Sequence, residues 1–239
     1  AREFNRSQPR KSFIKMSMKF SGRTSFINLP ASALEEMEQK IQCEKCGARY
    51  AVVGSAFYCP CCGHNSAKLT FFNTIDKVKA KINNLDVIRK ALEVISKDEA
   101  ARTCTSLIET SVPDLVVAFQ RLCECVYPQI EGAKPLKRNV FQRLDDGNKL
   151  WHDLVGKGYD DWITDVQYAK LRKCFQQRHL LQHQDGIVDQ DYISKSGDVS
   201  YQVGQHLIIK PEDITEYAGI VEALGKQVLA LLEEVKVNE

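Results

Sequence analysis

Along most of the chain apolar residues recur at spacings of three and four, the period of a helix with one buried face. Ile75, Val78, Ile82, Leu85, Ile88, Leu92 and Ile95 form the first such stripe and predict one long helix from about Asn73. Ser96, with Glu99 three residues later, has the spacing of a capping box and predicts a new helix start that continues through Ala100 to Thr110. Pro113 is expected to open another helix, with Leu115, Val116, Phe119, Leu122, Cys123 and Val126 on its buried face. A break follows at Tyr127 and Pro128, through Gly132 to Pro135. Phe141, Leu144, Asn148, Trp151 and Leu154 or Val155 then trace a further helix, ended by Gly156 and Gly158. Thr164 caps the next, whose apolar positions are Leu171, Cys174, Phe175 and Leu181. Ile187 to Ile209, with Gly197 and Gly204, reads as a long loop with short strands. Pro211 starts the last helix, and its stripe runs from Ile214 to Leu231.

The pattern before Asn73 is different. Arg2, Arg6, Arg10, Lys11, Lys15, Lys19 and Arg23 face only Glu3, a local excess of six positive charges. Residues 1–30 are therefore expected to form a basic arm or a short strand around Phe13 to Phe20. Their Arg- and Ser-rich, acid-poor composition also resembles a transit peptide, and an Ala at the first position suits a processed or truncated start. Ser32 with Glu35 predicts a short helix over about Ala33 to Gln42. Tyr50, Val52, Val53 and Phe57 suit a hairpin between Ala48 and Tyr58, and Lys68 to Phe72 reads as a strand. The organisation expected is a basic arm (1–30), a small module (31–72) and an all-α bundle of five or six helices (73–239).

Composition narrows the function classes. The chain has 239 residues, 44% hydrophobic and 27% charged, with 33 Lys+Arg against 31 Asp+Glu. No apolar run approaches the roughly 18 to 20 residues of a membrane-spanning helix. Near-balance of charge argues against indiscriminate coating of nucleic acid, which needs a large basic excess. Nine cysteines, an odd number, and no secretory signal argue against a secreted disulfide scaffold, so a reducing, cytoplasmic compartment is expected.

Five of those cysteines fall within twenty residues. Cys43-Glu-Lys-Cys46-Gly and Cys59-Pro-Cys-Cys62-Gly are two CxxCG turns separated by twelve residues. Each turn can aim two thiolates at one ion, with glycine letting the backbone N–H groups face the sulfurs. Cys43, Cys46, Cys59 and Cys62 are thus expected to hold a structural Zn2+ in a closed tetrahedral site, a pattern that resembles zinc ribbons. Cys61 is surplus to that set, and His64 is an alternative ligand the set does not need. With four ligands in place no position is open for a catalytic water. Cys104, Cys123, Cys125 and Cys174 sit in helical patterns and read as apolar packing residues.

The remaining chemistry lies in Gln177-Arg178-His179-Leu180-Leu181-Gln182-His183. On a helix His179 and His183 lie about 40° apart, with Arg178 about 100° from His179. Arg178 continues the apolar stripe of Leu171, Cys174 and Phe175, which places a permanent cation at a helix–helix surface. Burial there costs several kcal/mol without a carboxylate or bound phosphate. Two other readings stay open: solvated cations near a helix C-terminus, or a His pair at i and i+4 binding a metal. The second lacks the Glu of a hydrolytic HExxH helix and has only Asp185 nearby. His152, beside Trp151, is expected to be structural.

Arg178 to His183 resembles the R-x4-H motif of HEPN domains, including a small or polar residue after the arginine, here His179. Asn139-Val-Phe-Gln-Arg-Leu144, the acidic loop after His183 and a final amphipathic helix after Pro211 are similar in order to small bacterial HEPN proteins. The resemblance implies a helical bundle that forms a homodimer with two motifs facing one cleft. It also implies a metal-independent endoribonuclease with RNA as partner and substrate, a role in stress or phage defence, and a protein partner such as an antitoxin. Arg178 would hold the scissile phosphate, His183 would exchange protons with the RNA and His179 would assist. Toxin-type members often carry tyrosine two residues after the motif histidine, where this chain has Asp185. Other members are noncatalytic, so a binding or interaction module is the alternative.

Overall fold

The computed structural model describes residues 38–53 and 57–237. The basic arm, the strand expected around Phe13 to Phe20 and the start of the helix expected at Ala33 lie outside them. The order of elements is β1 (Glu38–Gln42), β2 (Arg49–Val53), α1 (Ala67–Asn83), α2 (Leu85–Glu93), α3 (Lys97–Val126), α4 (Leu144–Val155), α5 (Tyr159–Trp162), α6 (Asp165–His183), α7 (Gln190–Ser196) and α8 (Pro211–Val237). A mainly helical chain with a small β element near its N-terminal end is what the sequence predicts. No helix among the described residues is long and apolar enough to cross a membrane.

Several local expectations are corrected. Glu38 to Gln42 is a strand, not the end of a helix, because it pairs antiparallel with β2 in the register Ile41 to Tyr50. The expected hairpin between Ala48 and Tyr58 is likewise displaced: among the described residues there only Arg49–Val53 is a strand, and its partner lies before Cys43. The cysteine knuckle is itself the hairpin turn. Lys68 to Phe72 is helical, since Ser66 caps α1 by accepting the Leu69 N–H, and Phe71 faces the bundle core at 1% exposure. α1 therefore runs without interruption through Phe72 to Thr74.

The long helix expected from Asn73 breaks at Asn84, whose side-chain amide donates to the Ala80 carbonyl at 2.9 Å and competes with the backbone ladder. Ser96 does cap α3, accepting from the Glu99 N–H. Pro113 does not start a helix but sits inside α3, a 30-residue helix. An interior proline costs about 3 kcal/mol. Burial of Ile108 and Val112 before it and Leu115 and Val116 after it, each contributing about 1.5–3 kcal/mol, outweighs that cost. α3 is the axle of the bundle, packed by α1, α2, α6 and α8. The loop after α6 holds α7 and one isolated bridge, Ile187 to His206, in place of the expected strands.

A close approach joins α8 to this axle. A Cβ at Gly225 would overlap the Phe71 ring and press on Leu122 Cδ2 at 3.3 Å. Phe71 is fully buried and has nowhere to swing. Gly225→Ala gains about 1 kcal/mol of helix propensity and meets an overpacking cost of about 1–3 kcal/mol. Denaturant unfolding should show a net loss of stability; a net gain would mean that α8 slides freely against α1.

Candidate functional site

Each CxxCG turn builds the same small loop. Gly47 N–H donates to the Cys43 carbonyl at 2.9 Å and Cys43 N–H to the Ala48 carbonyl at 2.8 Å. Gly63 donates to Cys59 and Cys59 to His64, both at 2.8 Å. Gly47 and Gly63 take φ of 72° and 69°, a region where other residues are strained. The two loops bring four sulfurs together. Cys43 and Cys62 lie 3.7 Å apart, Cys46 and Cys59 3.6 Å, and all four lie within 4.8 Å of one another. Zn–S bonds of about 2.3 Å in tetrahedral geometry require S–S edges of about 3.8 Å, so the two measured edges fit such an ion. All nine cysteines are free of disulfides.

The four thiols perturb one another strongly. Backbone N–H groups of Cys46 and Lys45 pull the Cys43 thiol down to about 6. Cys46 receives similar help from the Ala48 backbone, yet the neighbouring Cys62 sulfur pushes it up to about 12. Four sulfurs this close share negative charge only when a cation offsets it. Cys61 is exposed and outside the group, and His64 does not join it. Among the scattered thiols, Cys104, Cys123 and Cys174 are buried as packing residues, whereas Cys125 is exposed, a correction to the expectation for it.

The second site is a cavity of about 530 Å3 between α6 and the segment Arg138 to Asp146. Arg178, His179 and His183 all line it. The stripe of Leu171, Cys174 and Phe175 is buried as expected, and Arg178 follows it into the interior with 8% of its surface exposed. Its Nε is buried without a hydrogen-bond partner. Among the described residues it has no ion-pair partner either. Burial lowers its affinity for the proton, although a guanidinium stays charged at any physiological pH. Here the structure contains the unpaired buried cation that the sequence leaves as a question.

His179 and His183 stand at the cavity rim, both exposed, with ring centroids 5.0 Å apart. Burial, then the His183 and Arg178 charges, lowers the His179 pKa below its ordinary 6.5. The unfolded chain therefore binds this proton more readily, and stability falls as pH drops through about 6.5 and below. An NMR titration should place the His179 midpoint under 6.5, and both Arg178→Gln and His183→Asn should move it up. A midpoint unmoved by either change would show that neither charge reaches the ring. Among the described residues the two histidines belong to no three-ligand group.

Sequence reasoning missed several residues here. Arg138, Arg143, Arg172 and Lys195 also line the cavity, against the carboxylates of Asp145 and Asp146. Arg172 was readable, because Arg172, Gln176, His179 and His183 share one stripe of α6. Arg138 and Arg143 reach the cavity only through folding. Buried Gln120 on α3 donates to Asn139 Oδ1 at 3.4 Å, holding a residue with φ of 56°. Trp151 packs on Phe141 and donates its indole N–H to Tyr159 at 3.1 Å. This aromatic cluster seats the turn Val140–Gln142, which Arg138 and Arg143 flank.

His152 lies outside the cleft. Its Nε2 is 2.8 Å from Asp160 and 3.6 Å from Asp161. Asp161 already accepts the Gly158 N–H at 2.8 Å, so this trio ties α4 to α5. Comparison with protein-family models, with curated proteins and with solved structures found no match for the chain.

Proposed function

We propose that the protein is a metal-independent endoribonuclease of HEPN type, acting as a homodimer, with a structural zinc ion in its four-cysteine module. The observation that carries this reading is Arg178: a largely buried arginine with its Nε unpaired and no described counter-ion, opening onto a cavity shared with two imidazoles. A phosphodiester supplies the missing negative charge and matches the planar fork. His179 and His183 at an open rim suit closure by a second copy.

The reaction follows from these groups. The RNA 2′-hydroxyl attacks the adjacent phosphorus as an imidazole takes its proton. The bond from phosphorus to the 5′-oxygen breaks, and that oxygen receives a proton from the imidazolium of the facing site. A 2′,3′-cyclic phosphate and a 5′-hydroxyl result. His183 is assigned the proton exchange. His179, its proton affinity lowered by burial and the neighbouring charges, hydrogen-bonds the reacting phosphate, and Arg178 offsets the charge that builds on its oxygens.

Structured RNA incubated with the protein in EDTA tests the reading, comparing wild type with Arg178→Ala and His183→Ala. Cleavage by wild type alone, with DNA of the same sequence left intact, is the expected result. RNA bound but never cut would identify a noncatalytic binding module instead. Cleavage that appears only after manganese or zinc is added would overturn the mechanism.

A further inference from the structure

The cavity has a second pole that the chemistry above does not use. Arg172 precedes His179 by seven residues on the same face of α6, a rise of about 10 Å. Arg143 approaches from the other wall. Neither cation is idle: Arg172 Nη2 contacts Asp145 at 3.2 Å, and Arg143 pairs with Asp146. The satisfaction is partial, however. Of the five N–H donors of Arg172 only Nη2 has a partner among the described residues, and its Nε is buried with none. Its guanidinium carbon lies 5.2 Å from the centre of the Tyr168 ring, which keeps the plane in place, while the Tyr168 hydroxyl donates to Asp145 at 3.4 Å.

We infer that Arg172 and Arg143 form a second phosphate subsite in this cleft, occupied in the absence of RNA by the Asp145 and Asp146 carboxylates as internal stand-ins. The inference rests on the reading of the cleft as an RNA site and extends it to substrate length. Arg172 precedes Arg178 by six residues of α6, a rise of about 9 Å, more than a single phosphate spans. RNA engaging Arg178 at one end presents another backbone phosphate to Arg172 and Arg143 at the other. That phosphate displaces two carboxylates that are exposed and loosely held: Asp145 retains 77% of its side-chain exposure and Asp146 50%. The preferred substrate is accordingly an oligonucleotide rather than a dinucleotide.

The test is fluorescence anisotropy with 2′-O-methyl RNA, which binds without being cut, in two lengths: an oligonucleotide and a dinucleotide. Wild type should prefer the oligonucleotide. Arg172→Gln with Arg143→Gln should weaken oligonucleotide binding roughly tenfold and flatten its salt dependence by about 0.7 in log–log slope, one phosphate contact. Asp145→Asn should do the opposite and tighten binding, by up to about fivefold, because it frees Arg172. Unchanged or weaker binding by Asp145→Asn, or wild-type affinity in the double arginine variant, would overturn the subsite while leaving the Arg178 site intact. Failure of wild type to bind either RNA would remove the underlying reading as well. Circular dichroism of each variant verifies that the fold is kept, as expected for partners this exposed.

Discussion

Replacing Arg178 with leucine should raise the thermal stability of the protein and abolish, in the same molecule, the RNA cleavage proposed for it. Both effects have one origin. Arg178 is 8% exposed as a residue, follows Leu171, Cys174 and Phe175 along the buried stripe of α6 and has no ion-pair partner among the described residues, while its Nε is buried without a hydrogen bond. Holding that part of a cation out of water costs free energy that no contact among the described residues returns. Leucine at this position extends the apolar stripe at nearly no desolvation cost. A gain of about 1–4 kcal/mol is the range seen when buried ionic groups yield to apolar ones, and the lower half applies because the cavity admits solvent. For a chain of this size that corresponds to a rise of about 2–6 °C in Tm. Cleavage falls to background because the phosphate loses its charge partner. Arg178→Lys keeps the charge without the planar fork and should lose most activity with little stability change. Calorimetry beside a cleavage assay settles the matter. Destabilisation by leucine would mean that the guanidinium holds the fold together through a contact of its own.

The second large effect concerns the metal. Cys59→Ser should abolish the zinc binding proposed for the four-cysteine cluster and unfold the cysteine module while leaving the helical bundle folded. β1 and β2 have five residues each, and an isolated two-stranded hairpin is marginal in water. Zinc binding to four thiolates supplies about 10–16 kcal/mol at neutral pH in small zinc domains, far more than such a hairpin has by itself. Cys59 is 1% exposed and Cys43 4%, so either thiolate would be buried against its neighbours without the ion. The bundle core draws on Phe71, Phe119, Trp151 and Val228 and contains none of the four ligands. Metal analysis should give one zinc per chain for wild type and for Cys61→Ser, and none for Cys59→Ser. Limited proteolysis should then cut near Arg49 with the far-ultraviolet helical signal retained. Loss of zinc from Cys61→Ser would reassign the ligand set, and loss of the helical signal on chelation would show that module and bundle fold as one unit.

The legible parts of the sequence were those whose signals act over a turn or two of chain. Ser96 with Glu99, Thr164 and Gly156 mark helix ends because a cap needs only its own backbone. The paired CxxCG turns announce four converging sulfurs because each knuckle is a closed local loop. Arg178 could be placed in the interior because its neighbours three, four and seven residues back define a buried stripe. Packing overrules local preference elsewhere: Pro113 stays inside α3 because buried residues on both sides hold the helix, and Lys68 to Phe72 is helical because Ser66 caps it and Phe71 fills the bundle.

Spacing along the chain alone encodes the helical period, the convergence of four cysteines and a cation where an apolar residue belongs. Only the tertiary structure decided that Arg138 and Arg143 share a cavity with Arg172 and His179. Their convergence depends on an aromatic cluster that seats one turn against the bundle. Electrostatic energy depends on distance through space, and sequence spacing reports that distance only within a single element.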